Sequence, residues 1–234
     1  PEACSFPGPD VDALSKDLDF IYPHDGATRT ASTAAPTSLH RTSPQIKVQF
    51  HEYGVGKKSI TPAQRGTAIH KFMQFANYQR CAEGGAQVQA ELNRIKEDGF
   101  MSSEEAEAID IHMLKNFFAS STGKMLGEIP DDMMKREFRF SFLVPASEAL
   151  PDAETDEPVL MSGIIDLFVD TGDSIALYDF KSDYAEDTTA IQEKVQTYSP
   201  QLNVYAKALE QICSKPVAEK TLIFLRPAVA EKVS

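Results

Sequence analysis

The most restrictive feature of this chain is an apolar hairpin at residues 159 to 181 that carries charges inside both strands. A strand exposes alternate residues on one face, so Asp179 and Lys181 point the same way, with Ile175 and Leu177 preceding them on that face. The first strand contains Ile164-Ile165-Asp166-Leu167-Phe168 and the second Leu177-Tyr178-Asp179-Phe180. Asp is disfavoured in such β-branched and aromatic runs, and an exception of this kind marks a functional position. Burying these charges at the end of an apolar stripe is costly unless something pairs with them, and a divalent cation held by Asp166 and Asp179 would do so.

The rest of the chain divides by its hydrophobic period. Residues 1 to 46, rich in Pro, Ala, Ser and Thr, show no sustained periodicity and read as a linker. Thr61-Pro62-Ala63-Gln64 is a capping box with proline at the first helical position, and Ile69, Phe72, Met73 and Ala76 give a helix to about Tyr78. A second helix is expected from about Ala86 to Asp98, stopping at Gly99. A third begins at Ser102, with Glu105 three residues on, and carries Ala106, Ile109, Met113, Phe117 and Phe118 before Gly123 and Pro130 close the segment.

At Phe138, Phe140, Phe142 and Val144 the period becomes 2, which predicts a strand with one buried face. A polar, acidic loop at 146 to 157 leads to the hairpin, whose turn is Asp170-Thr171-Gly172-Asp173. Thr188 to Ser214 is helical in pattern, with a break expected at Ser199-Pro200 and an apolar stripe of Tyr198, Leu202, Tyr205, Leu209 and Ile212. A last strand, Thr221 to Leu225, ends before Pro227. The fold class is therefore α/β (α+β): a small mixed central sheet flanked by helices, with a helical N-terminal part.

Composition excludes several classes. No apolar run approaches the roughly 18 residues of a membrane span, so no membrane partner is expected. The chain opens at Pro1 without a signal peptide, which favours an intracellular, cytoplasmic setting, and the missing initiator Met suggests a piece of something longer. Cys4, Cys81 and Cys213 are widely spaced and odd in number, fit neither a disulfide framework nor a cysteine metal site, and read as inert thiols. The formal net charge of -12 opposes sequence-independent binding to DNA, which depends on Lys and Arg. The acidic residues nevertheless crowd between Glu148 and Asp187, around the proposed cation site. Such a piece binds nucleic acid weakly alone and needs another module to deliver the strand.

The residue types fit a phosphoryl-transfer site. Two carboxylates are hard oxygen ligands for Mg²⁺, which keeps several waters and leaves room for a phosphate oxygen. Such a cation polarises the phosphoryl group and acidifies an attacking water. Lys181 orients the water or meets charge developing on phosphorus. His70, in Arg65-Gly66-Thr67-Ala68-Ile69-His70, lies at the margin of its helix's apolar stripe and suits Mn²⁺ as well as Mg²⁺; a surface or satisfied core histidine is the competing reading. Gln201 and Tyr205 are stacked four apart on one helix face, as site residues or as an exposed amide beside a core aromatic. Glu137 is read as an exposed charge ahead of a further ligand. Gly54-Val55-Gly56-Lys57-Lys58-Ser59 looks like a phosphate-binding loop, but His51 stands where its first glycine belongs and Lys58 where Ser or Thr should follow, so it is no nucleotide site.

In order along the chain stand Arg-Gly-Thr-x-x-His, Arg-Glu-Phe-x-Phe, Gly-Ile-Ile-Asp-Leu, Tyr-Asp-Phe-Lys-Ser-Asp and Tyr-Ser-Pro-Gln-Leu-x-x-Tyr-Ala-x-Ala-Leu. Together they resemble the C-terminal nuclease domain of the RecB and AddA helicase-nucleases, within the PD-(D/E)xK superfamily, and are closest to AddA over roughly residues 60 to 227. Phe20-Ile21-Tyr22-Pro23-His24 resembles the stretch leading from helicase to nuclease, so 1–46 becomes a lead-in and 47–234 the nuclease domain. The resemblance implies a restriction-endonuclease-like core in which His70, Asp166 and Asp179 bind metal, with the Phe180 main-chain carbonyl as a further ligand. It implies that Lys181 is catalytic, together with Asp166 and Asp179, and that Gln201 and Tyr205 are accessory. It also implies a Mg²⁺-dependent DNA exonuclease, with Mn²⁺ as a substitute, acting on single strands in bacterial double-strand-break repair and recombination near the nucleoid. The strand would come from an ATP-driven helicase, with ATP used only by that region, and an AddB-like protein would be the partner. The iron–sulfur cysteines of related AddB nucleases are missing here. Two other functions compete: a catalytically inactive module of the same fold that guides DNA or binds a partner, and a small-molecule phosphohydrolase.

Overall fold

The computed structural model describes residues 26, 29–37, 61–150, 153–183 and 187–233. The Gly54–Ser59 loop, residues 20–24, Cys4 and most of the lead-in lie outside the described residues.

The helical part opens with α1 (Pro62–Phe75), whose capping box forms as expected: Thr61 Oγ1 accepts from the Gln64 N–H at 3.2 Å and Gln64 Oε1 from the Thr61 N–H at 2.9 Å. This helix ends at Phe75, and Asn77 caps a separate α2 (Tyr78–Glu83). Then α3 (Gly85–Glu97) follows, close to the expected bounds. The single helix expected from Ser102 onward is three: α4 (Ser103–Ala108), α5 (Ile111–Ala119) and α6 (Ser121–Glu128). Asp110 and Ser120 each cap the helix after them, which turns the chain while keeping the apolar spacing that made the run look continuous. Gly123 does not close the segment. It lies inside α6, where a Cβ would come within 2.2 Å of the Phe117 carbonyl oxygen, so only glycine lets α6 fold back across the end of α5.

Among the described residues the sheet has six strands. The short β1 (Thr33–Ala34), inside the stretch read as linker, runs parallel to β3 (Pro158–Asp170). Antiparallel to β3 on its other side lies β2 (Met134–Pro145), which leads into the short α7 (Ala146–Ala149) within the expected loop. The hairpin then turns into β4 (Ile175–Lys181): the Thr171 N–H bonds the Ser174 carbonyl, and Gly172, with φ 95°, donates its N–H to Asp170 Oδ1.

Helix α8 (Thr188–Cys213) is unbroken, although Pro200 removes the N–H that would meet the Gln196 carbonyl. Burial of Ile191 on one side of the proline and Leu202, Tyr205 and Leu209 on the other holds it together. Ile212, placed in the apolar stripe by its spacing, is exposed. The expected last strand starts earlier, as β5 (Val217–Phe224) parallel to β4, and is not the last: β6 (Val229–Lys232) pairs with it beyond Pro227.

Two apolar clusters make this a three-layer structure. On one face of the sheet, Leu167, Val169, Tyr178, Phe180 and Ile223 pack with the cluster of α1 to α6. On the other, Ile165, Ile175, Leu177, Leu222 and Phe224 pack beneath α8. Alternation along β4 is regular, so Asp179 and Lys181 lie on the α8 face with Ile175 and Leu177, as the pattern predicts. Along β3 it is interrupted. Ile165 and Leu167, two apart, belong to opposite clusters, so the strand changes face at Asp166. Opposite that point on β2, between the Arg136–Leu167 and Phe138–Ile165 pairs, Glu137 adopts φ 51°. A left-handed residue there bends the ribbon and re-aims its neighbours, as bulges beside active sites do.

Candidate metal and catalytic site

The bend brings side chains from four elements together. His70, from the middle of α1, places Nδ1 3.2 Å from Asp166 Oδ1 and 3.9 Å from Glu137 Oε1. Asp166 Oδ2 accepts the Phe180 N–H at 2.8 Å, which ties β3 to β4 at the site. Asp179 forms the floor, at 2% exposure. Lys181 Nζ lies 2.7 Å from Asp179 Oδ2, but off hydrogen-bonding angles, so this buried oxygen has an ion-pair contact and no hydrogen bond.

Helix α8 holds Lys181 from the other side. Its Nζ donates to Gln201 Oε1 at 3.1 Å, and Gln201 Nε2 donates to the Tyr205 hydroxyl oxygen at 2.6 Å. The ammonium also sits 4.1 Å from the centre of the Tyr198 ring, a cation–π contact. The Tyr198 hydroxyl donates to Asp183, which also takes Lys194 at 3.2 Å. Tyr198, which touches Lys181, and Asp183, which holds Tyr198, were not singled out from the sequence. Tyr198 was placed in an apolar stripe, and Asp183 sits just past the strand end; the signal was the run Tyr198, Gln201, Tyr205, which sets three polar groups on one helix face.

The electrostatics are lopsided. Burial opposes charge on His70, but Asp166, with Asp179 and Glu137 behind it, outweighs burial and raises its pKa above the ordinary histidine value. Burial, then repulsion from Asp166, pushes the Asp179 carboxyl up to about 6 against the pull of Lys181 and His70. Burial and Asp166 likewise raise Glu137. Tyr205 is also raised, by burial and by Asp179, so its hydroxyl stays neutral.

His70, Glu137 and Asp166 each offer a ligand atom, all within 4.8 Å of one another. Adjacent ligands of an octahedral Mg²⁺ at about 2.1 Å are about 3.0 Å apart, near the 3.2 Å between His70 and Asp166, and the nitrogen-and-carboxylate donor set suits Mg²⁺ or Mn²⁺. The residues present therefore fit a hard divalent cation. The grouping differs from the expected one: Glu137, read first as an exposed charge, belongs to it through its left-handed backbone, whereas Asp179 stands apart from it beside Lys181. Phe180 touches the site through its N–H. A cavity of about 580 Å³ lined by Gln79, Lys124 and Pro130 among others includes none of these residues, so the chemistry and not the size of a hollow marks the site.

Elsewhere, Cys81 is buried, with its thiol pushed up to about 12, as an inert cysteine would be. Among the described residues no helix is long and apolar enough to cross a membrane.

Comparison with known proteins agrees with the resemblance carried by the motifs. The chain is 36% identical over 230 residues to an ATP-dependent helicase/nuclease subunit of Desulforamulus reducens, a match that covers 91% of this chain and 18% of that protein. It is 29% identical over 232 residues to the protein of the same name from Clostridium acetobutylicum, covering 91% and 18%, and 27% identical over 237 residues to that of Listeria monocytogenes, covering 92% and 19%. The chain thus spans under a fifth of the length of these curated relatives. The sequence profile of the PD-(D/E)XK nuclease superfamily matches residues 48–233. Asp179-Phe180-Lys181 spells the (D/E)XK half of that pattern, while Asp166 follows Ile165 where the pattern has proline. A match over most of the chain, on a mixed sheet that brings Asp166, Asp179 and Lys181 to one end, leaves one assignment: the chain belongs to the PD-(D/E)XK nuclease superfamily.

Proposed function

We propose that this chain is a divalent-cation-dependent deoxyribonuclease that hydrolyses phosphodiester bonds of single-stranded DNA, with Mg²⁺ as the physiological ion and Mn²⁺ as a substitute. The observation that carries the reading is the convergence of His70, Glu137 and Asp166 on one point, with Lys181 held nearby against Asp179. His70, Asp166 and Glu137 would hold the cation, with Asp179 and the Phe180 carbonyl completing its shell. When bound, the ion supplies Lewis-acid polarisation of a phosphate oxygen and lowers the pKa of a water.

The chain's own groups do the rest. Lys181 presents its ammonium to the reacting phosphate, where negative charge grows. Gln201 Oε1 accepts a hydrogen bond from the ammonium and the Tyr198 ring supports its charge, so the side chain is oriented before substrate arrives. Tyr205 fixes Gln201 by accepting its amide proton. The reading extends to the relatives' context. Residues 47–234 form the nuclease domain and 1–46 the lead-in from a motor that uses ATP elsewhere in the polypeptide. The chain digests exonucleolytically the strand that the motor delivers, alongside a second, AddB-like protein, in cytoplasmic double-strand-break repair.

The test is cutting of a single-stranded oligonucleotide by this chain with Mg²⁺ or Mn²⁺. Slow cutting is expected, given the net charge of -12, and Asp179→Ala or Lys181→Ala should reduce it by about 10²- to 10³-fold. Unchanged cutting by both variants defeats the assignment.

A further inference from the structure

Gly66 lies inside α1, four residues before His70 and therefore about 5–6 Å from it on the same helix face. Glycine is a poor choice in a helix interior, and among the described glycines each of the others has a visible reason. Gly84, Gly99 and Gly172 have positive φ, and a Cβ at Gly26, Gly85, Gly123, Gly127 or Gly163 would come within 3.3 Å of another atom. At Gly66 neither holds: the backbone is helical, and among the described residues a Cβ would meet only Ser182 Oγ, at 3.6 Å, an ordinary contact. The described residues thus leave room for at least a methyl that the sequence does not supply.

The location says what else could need the room. Ser182 directly follows Lys181, so the gap beside Gly66 is bounded by the strand end that carries the lysine and by the helix that carries His70. Both Gly66 and Ser182 are half-buried, not sealed. A hydroxyl such as that of Ser182 suits a phosphate oxygen, and glycine is the residue that allows a ligand's backbone to approach a protein backbone closely.

We infer that Gly66 keeps open a notch between α1 and Ser182 in which the sugar-phosphate backbone of the substrate strand packs as it passes His70 and Asp166. The inference rests on the nuclease reading and adds to it the side from which the strand enters. Gly66 is a positioning residue: it forms no bond with substrate, and its missing side chain sets how closely the strand can lie.

Gly66→Ala and Gly66→Leu in the whole chain test this by four readouts: melting temperature, Mn²⁺ calorimetry, anisotropy of a labelled single-stranded oligonucleotide in EDTA, and cutting with Mg²⁺. Both variants should bind Mn²⁺ like the parent, and the alanine variant should melt about 2–4 °C higher, because alanine favours the helix. Yet both should bind the oligonucleotide more weakly, with KM raised about tenfold for leucine and less for alanine, and kcat less affected. A leucine variant with parental KM and anisotropy overturns the notch. If leucine prevents folding, an alanine variant that melts higher but binds and cuts like the parent overturns it. If the parent binds without cutting, the nuclease reading fails and weaker binding by the variants still upholds the notch; if the parent neither binds nor cuts, both fall.

Discussion

Glu91 in the helical layer and Asp179 in the sheet are both buried carboxylates, at 0% and 2% exposure, and their surroundings treat them in opposite ways. Glu91 Oε2 accepts the Asn77 N–H at 3.0 Å and Arg94 at 2.8 Å, while Arg80 lies 2.9 Å from Oε1. Against its burial, these partners hold its carboxyl below the ordinary range. Asp179 has one cation, Lys181, and a carboxylate neighbour in Asp166, so burial and repulsion raise it to about 6. The first is a knot that ties the end of α1 and the start of α2 to α3, with Arg94 also bonding the Phe75 carbonyl at 2.8 Å; Glu91 Oε1, like Asp179 Oδ2, has an ion-pair contact and no hydrogen bond, but Glu91 Oε2 is fully engaged. The second is short of positive charge. A perturbed carboxylate beside a convergent donor set marks a candidate functional position, whereas one of equal burial held by several cationic and N–H partners is structural.

The sharpest way to break that contrast is to remove Glu91. Glu91→Ala strips the Asn77 N–H and two arginines of their common acceptor, and should cost about 2–3 kcal/mol, the arginines' access to water sparing the larger loss of a fully buried pair. For a chain of this size that is a fall in melting temperature of roughly 4–12 °C, readable by thermal denaturation. A fall under about 2 °C would mean that the knot does little and the comparison has no structural pole.

The two regions also differed in how far the sequence exposed them. Asp179 and Lys181 were legible because a strand's period is fixed by geometry, and β4 is regular. The capping boxes at Thr61 and Ser102 were legible because their hydrogen bonds are local. Glu91 was not, since in Ala90-Glu91-Leu92 it looks like any helix residue, and its burial depends on Asn77 and Arg80 arriving from another helix. Glu137 was misjudged for a related reason. A regular strand would turn it outward, and only the left-handed φ of 51° opposite Asp166 brings it to His70. Pro200 misled in the other direction: local chemistry says break, and tertiary burial on both sides of it overrides the break.

A smaller effect, of opposite sign, is expected at Asp179. A carboxyl raised from 3.8 to about 6 binds its proton more tightly in the folded chain than in the unfolded one. Its contribution to stability is therefore greatest below about pH 4 and declines as pH rises to about 6, above which the ionised, buried group is a fixed liability. Asp179→Asn imitates the protonated form. Without added metal at pH 8 it should stabilise the chain by about 1–2 kcal/mol, less than the roughly 3 kcal/mol that the shift alone would imply, because Lys181 loses its counter-charge. The same substitution should reduce DNA cutting by about 10²- to 10³-fold. A variant that is less stable than the parent at pH 8 would place Asp179 with Glu91, as a carboxylate its surroundings already satisfy.

The last test sets proton against cation at the same atoms. Nδ1 of His70 can hold either a proton, shared with Asp166 at 3.2 Å, or a cation, but not both. Because Asp166, Asp179 and Glu137 overcome burial and raise the His70 pKa above 6.5, the proton is still competing for the site near neutral pH. Mn²⁺ binding measured by calorimetry should therefore weaken as pH falls from 8 to 5.5, approaching about tenfold per unit once His70 is mostly protonated, with proton release visible as a buffer-dependent heat. Asp179 gains its proton near pH 6 in the same window, so its contribution must be separated. In Asp179→Asn the remaining slope belongs to His70 and Glu137, in His70→Gln to Asp179 and Glu137, and Glu137→Gln in each background separates the third contribution. A Kd that stays level across this range in the parent would show that neither His70 nor Asp179 exchanges a proton for the cation, and their proposed part in holding it would fall.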